Sequence, residues 1–195
     1  MSDFDLTIAV LLGSVRPERN ALRVGRLLVN ALSVAGHEAV LVDPLEFSLP
    51  LLERTYSEYK LGEAPAALNE LSALYRRVDG FIIASGEYNH GIPPALKNLL
   101  DHFLEEYFWR PSGIVCYSSG QFGGVRAAMQ LRMTLGELGM PSIPTLLAIP
   151  RVVEALDEVG RPQQDWLATA LQEFLSEFVW YARALKQGRA GGTPY

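Results

Sequence analysis

The sequence predicts an α/β fold in three layers: a five-stranded parallel sheet of strand order 2-1-3-4-5 with helices on both faces. Three observations predict it. Short, nearly continuous apolar runs recur along the chain, as strands buried on both faces read. Segments with apolar residues at helical spacing separate them. Polar, glycine-bearing loops follow the first, third and fourth runs. Strand and helix alternating in this way require right-handed crossovers, which put helices on both sides of one sheet.

The elements follow in order. Leu6 to Leu12 is the first strand and ends in Gly13-Ser14. Val24, Leu27, Leu28, Ala31, Leu32 and Ala35 then fall on one helical face, and Gly36 stands where a helix-ending glycine belongs. Ala39 to Val42 reads as a strand, Ala66 to Val78 as a helix and Gly80 to Ala84 as the third strand. Pro94 suits the first turn of a helix, whose apolar face is Leu96, Leu99, Leu100 and Phe103. Ile114 to Tyr117 is the fourth strand. Ala128, Leu131, Leu135 and Leu138 mark the next helix, Ser142 to Ile149 the fifth strand, and Leu167, Leu171, Phe174 and Phe178 the last helix. Residues 1–187 thus form a single domain, and 188–195, with Gly191, Gly192 and Pro194, are expected to be a flexible tail. The connections from Pro44 to about Pro65 and from Pro150 to about Gln164 are long for a compact domain, a mark of function, interface or mobility.

Composition narrows the function classes. With 195 residues, 49% apolar and 20% charged, the chain can bury a core and is not a disordered segment. Its net charge of -5 and lack of a basic cluster argue against a nucleic-acid partner. Cys116 is the single cysteine, so no intrachain disulfide or multi-cysteine metal site can form, and a cytoplasmic location fits. The start, MSDFDLTIAVLLGSVR, lacks the basic region of a signal peptide. No apolar stretch approaches the roughly 20 residues of a membrane-spanning helix, so no membrane partner is expected.

Function should lie beyond the carboxyl ends of the strands, where open parallel sheets bind ligands. The first loop there, Gly13-Ser14-Val15-Arg16-Pro17-Glu18-Arg19-Asn20, runs into a helix whose free N–H groups and positive end suit a phosphate. Ser14 offers a hydroxyl, Arg16 or Arg19 a charged fork, and Asn20 an amide or a helix cap. An ordinary strand-to-helix turn with surface arginines is the plainer alternative. The second loop, Ser85 to Pro94, presents Glu87, Tyr88, Asn89 and His90 beside a proline-started helix, a mixture that suits a flat heteroaromatic ring or, more simply, a capped turn. The third, Ser118-Ser119-Gly120-Gln121-Phe122-Gly123-Gly124, allows close backbone approach. No GxxxxGK[ST], GxGxxG, HExxH, EF-hand or GxSxG motif is present, which removes the common ATP, Rossmann, zincin, calcium and nucleophile-elbow readings. No metal site is assigned.

Over roughly residues 6 to 187, the chain resembles the NADPH-dependent FMN reductase family of flavodoxin-like proteins, which reduce flavins, quinones, azo dyes and metal ions. GSVR resembles the family's GS-x-R loop, EYNHGIPPALKNLLD its EYN-x-x-x-P-x-x-LKN-x-x-D segment, and SSGQFGGVRAAMQLR its S-x-G-x-x-GG-x-R helix start. The resemblance implies bound FMN, with NADPH or NADH as electron donor. It implies that Ser14, Arg16 and Asn20 hold the phosphate, with Arg19 a further candidate. Glu87, Tyr88, Asn89 and His90 would line the ribityl chain and ring, and Ser118, Gly120 and Gly123 would close the other side. Lys97, Asn98 and Asp101 match the motif as residues that secure loop and helix.

No catalytic side chain is implied, because the flavin carries the hydride chemistry. The resemblance also implies a homodimer or homotetramer and a small-molecule electron acceptor. Two positions depart from the family's usual pattern: Gly86, where proline is common, and Ser119, where tyrosine is common. The main alternative is an FMN-binding electron carrier or regulatory flavoprotein with little NAD(P)H turnover. A response-regulator-like domain would need an acidic pocket after the first strand, which Gly13-Ser14-Val15-Arg16 does not supply.

Overall fold

The computed structural model describes residues 5–195; residues 1–4, which the sequence reading includes in the domain, lie outside it. Five strands, β1 (Thr7–Leu12), β2 (Glu38–Val42), β3 (Gly80–Ser85), β4 (Ser112–Tyr117) and β5 (Ser142–Ile149), form one sheet of order β2-β1-β3-β4-β5. Every neighbouring pair is parallel. The helices are α1 (Ala21–Val34), α2 (Ala66–Arg77), α3 (Pro94–Asp101), α4 (Val125–Glu137), the short α5 (Val152–Ala155) and α6 (Asp165–Ala190). This is the flavodoxin-like sandwich expected.

The central strands β1, β3 and β4 alternate their side chains between two cores, so nearly every position in them is buried. Ile8, Val10 and Leu12 of β1 face α1 and α6, while Ala9 and Leu11 face α2, α3 and α4. Full burial of one such large side chain contributes about 1.5–3 kcal/mol. Under α2, the buried rings of Tyr75, Phe81, Phe103 and Tyr107 meet largely edge to face, with Tyr75 and Phe81 centroids 5.3 Å apart. Tyr107 is therefore a core residue. At Gly113 the α6 helix comes so close that an added Cβ would lie 2.6 Å from the Phe174 ring.

The structure adds detail to the sequence reading. The last helix continues through Gly188 to Ala190, and the Tyr195 ring packs 4.9 Å from that of Trp109. The two long connections contain short structure of their own: a 3-10 turn at Tyr56–Glu58 and α5. The first of them is tied to α3, because Asn98 accepts from Leu52 N at 2.9 Å and donates to Pro50 O at 2.8 Å. The second folds against α1 through Arg23, which donates to Leu156 O at 3.0 Å.

Candidate functional site

α1 follows β1 on one face of the sheet, whereas α3 follows β3 on the other, so the chain ends of these adjacent strands diverge and leave a crevice. A cavity of about 450 Å³ opens there, within the range of small-molecule sites. All three glycine-bearing loops reach it. The first contributes Ser14 and residues 16–20, the second Gly86 to Tyr88, and the third Ser118 and Ser119, with Tyr117 at the end of β4.

The two arginines of the first loop have separate roles. The Arg19 side chain is buried, paired with the Asp43 carboxylate, and donates to Ser14 O at 2.9 Å. Asp43 in turn accepts from Leu45 N at 3.0 Å, so the end of β2 braces the loop through Arg19. Arg16 is exposed, makes no ion pair among the described residues, and lies 5.9 Å from the centre of the Tyr88 ring. Ser14 is buried with its Oγ 2.6 Å from the Tyr88 hydroxyl, which latches the first loop to the second. Asn20 occupies the N-cap of α1 but makes no side-chain cap bond, and the first turn of α1 carries no acid. The positive end of that helix therefore faces the cavity without a side-chain acceptor.

The second loop is a two-residue hairpin. Tyr88 and Gly91 exchange both backbone hydrogen bonds, at 3.1 and 2.9 Å, and Asn89 (φ 49) and His90 (φ 66) take the two left-handed central positions. Their side chains stand exposed at the tip, outside the cavity lining. Gln130 of α4 grips this tip, donating to His90 O at 3.1 Å and accepting from Ile92 N at 3.4 Å. Glu87 lines the cavity, yet its carboxylate accepts from Arg126 N at 3.0 Å and Ala127 N at 3.2 Å, capping α4 from a distant loop. The expectation that Glu87 serves the ribityl chain thus meets a carboxylate already engaged in holding two elements together.

In the third loop, Ser118 Oγ donates to Gly120 O at 3.0 Å, and that carbonyl also accepts from Arg151 N at 2.9 Å. Gly120 and Gly123 lie outside the cavity lining. A Cβ on Gly123 would come within 3.2 Å of Ala148 Cβ, so this glycine lets the loop pass over β5. Gly124 is left-handed (φ 80) at the N-cap of α4, where a Cβ would be 2.8 Å from Tyr117 O.

Sequence reasoning missed Tyr117. Its ring is buried beside Gly86, and a Cβ at that glycine would be 3.4 Å from both Cζ and the hydroxyl oxygen. The hydroxyl has no hydrogen-bond partner among the described residues, and burial pushes the phenol above its ordinary pKa. A tyrosine closing an otherwise apolar strand, one residue before a polar loop, was the available signal. Gln130 gave none beyond its place in the third motif.

Two other regions offer less. Burial pushes the Cys116 thiol up to about 12, which makes it a core residue and not a reactive thiolate. A larger groove of about 1010 Å³ between α1 and α6 is walled by Val34, Leu171, Leu175 and Val179, and its one arginine, Arg183, is paired with Asp5, so it offers a phosphate no free lysine or arginine. Among the described residues, no group of three or more metal-ligating side chains is present, and no helix is long and apolar enough to cross a membrane.

Comparison with known proteins agrees with this geometry. Over 75 residues the chain is 43% identical to an NAD(P)H-dependent FMN reductase of Schizosaccharomyces pombe, a match covering 37% of this chain and 36% of that protein. A quinone reductase of Pseudomonas putida is 29% identical over 91% of this chain and 95% of its own length. Among solved structures, the flavoenzyme NAD(P)H:acceptor oxidoreductase FerB of Paracoccus denitrificans superposes with a TM-score of 0.73 at 21% identity, covering 92% of this chain and 98% of that one. A flavodoxin of Pseudomonas aeruginosa shares the fold with a TM-score of 0.53 at 23% identity, over 93% of this chain and 99% of its own. The family model for NADPH-dependent FMN reductase matches residues 6–154, the stretch that supplies all three loops, α1 and α4. The chain therefore belongs to the NADPH-dependent FMN reductase family and is an FMN-dependent oxidoreductase.

Proposed function

We propose that the chain takes hydride from NADPH or NADH and delivers the electrons to a small acceptor such as a quinone, free flavin, azo compound or metal ion. The observation that carries this reading is the cavity at the strand-order reversal, where an uncapped helix end and the unpaired Arg16 face polar groups of two further loops. FMN supplies the chemistry when bound: its ring accepts hydride and releases electrons singly or in pairs. The protein binds and orients.

In this proposal Ser14, Arg16 and Asn20 hold the phosphate, and Arg19 acts through them by fixing the Ser14 carbonyl. Tyr88, Gly86 and Ser118 border the ribityl chain and ring. Glu87 keeps the second loop seated on α4. Asn89 and His90, exposed at the hairpin tip, meet the incoming nucleotide or acceptor. Gly120 and Gly123 shape the third loop.

The working form in this reading is a cytoplasmic homodimer or homotetramer. The exposed apolar side chains of Phe122, Met129 and Met133, beside the third loop and along α4, support an assembly. Sedimentation as a monomer at working concentration would remove that part.

The test is anaerobic mixing of FMN-loaded protein with NADPH and, separately, NADH, followed by reoxidation with each acceptor class. Rapid loss of the oxidised flavin absorbance is expected with at least one nucleotide. Slow loss with both would make the chain an electron carrier. Visible absorbance that stays flat after FMN is added would defeat the reading altogether.

A further inference from the structure

We infer that the Tyr117 hydroxyl is a hydrogen-bond donor to the flavin phosphate, supplied from the sheet and not from the phosphate loop. This rests on the FMN-binding reading above and deepens it.

Four observations carry the inference. The hydroxyl is buried and unpartnered, a costly state for a polar group unless something completes it. Its position is right for an anion: Tyr117 points to the sheet face covered by α1 and lines the same cavity as Arg16 and Asn20 at the open end of that helix. Its neighbours are already engaged, since Tyr88 is bonded to Ser14 and Arg19 to Asp43. Finally, Gly86 lies directly against the phenol: a Cβ there would be in van der Waals contact with Cζ and the hydroxyl oxygen, both at 3.4 Å.

The phenol also has the right protonation state. Burial keeps it neutral across the physiological range, so it can donate to a phosphate oxygen and cannot repel it.

Tyr117→Phe removes one oxygen and little else. FMN and riboflavin, which lacks the phosphate, are titrated against wild type and variant by flavin fluorescence quenching, and both apoproteins are melted. The variant should bind FMN about tenfold more weakly, the size of one hydrogen bond to a charged group. Riboflavin binding should be unchanged. The apoprotein should melt higher than wild type, because an unpaired buried hydroxyl has gone. Unchanged FMN affinity, an equal loss for both flavins, or a lower-melting apoprotein would each overturn the assignment. A wild-type chain that binds neither flavin would instead overturn the FMN reading itself.

Discussion

The two edges of the sheet use similar side chains to opposite ends. At the amino edge, Asp79 accepts from Thr7 N at 3.1 Å, Lys186 at 2.9 Å and Arg189 at 3.2 Å, which ties the end of α6 to β1 and β3. Asp5 likewise holds Arg183. At the carboxyl edge, among the described residues, Arg16 is unpaired, Asn20 makes no side-chain cap bond and the Tyr117 hydroxyl has no partner. A closed network stabilises the fold, whereas groups left unmatched around a cavity are available to a ligand. Arg19 and Glu87 are exceptions at the open edge, since their pairing with Asp43 and with the start of α4 serves the loops and not the ligand.

Substitutions at the two edges should therefore separate stability from binding. The largest effect is expected for Asp79→Ala, which leaves Lys186 and Arg189 facing each other and Thr7 N unmet. Urea unfolding should show a loss of about 3 kcal/mol, with FMN affinity unchanged in the folded fraction. A matching loss of FMN affinity would break the division. Arg16→Ala should do the reverse, weakening FMN about tenfold while apoprotein stability stays within about 0.5 kcal/mol.

His90→Gly is a smaller change that tests the hairpin tip. Glycine suits the left-handed turn position better than histidine, so the variant should gain up to about 1 kcal/mol in urea. If its rate of reduction by NADPH also stays unchanged, the imidazole takes no part in nucleotide entry.

The smallest effect belongs to His37, the unmatched group at the amino edge. Burial lowers its pKa, outweighing the pull of Asp5 4.0 Å away. The folded protein therefore favours neutral imidazole, while the unfolded chain takes up a proton near the ordinary 6.5. Stability from this group is complete above that value and declines as pH falls toward the folded pKa. Urea midpoints at pH 7.5 and 5.5 should converge in His37→Gln relative to wild type; an unchanged pH dependence would show that another group sets it.

The strands were legible because burial on both faces demands unbroken apolar runs, and Gly36 marked a helix end because it takes φ 83 just beyond α1. The last helix runs on through Gly188, into the stretch expected as tail, since a helix held by the charges at Lys186 and Arg189 tolerates one glycine. At the site, the strand-order rule identified which loops meet. It could not say which way a side chain turns. Glu87 faces α4 and Arg19 faces Asp43 because partners far away in sequence, at 126–127 and 43, outcompete the cavity. Tyr117 stayed hidden because a residue at the end of a buried strand has the same local pattern whether its tip is sealed in the core or borders a ligand.

The bare start of α1 makes the cofactor supply part of the protein's thermodynamics. A phosphate settling there completes the helix, and by mass action every tenfold rise in free FMN above its dissociation constant adds about 1.4 kcal/mol to the folded state. Newly made chains short of flavin would then be the ones most exposed to proteolysis, so the abundance of the enzyme would follow the abundance of its cofactor.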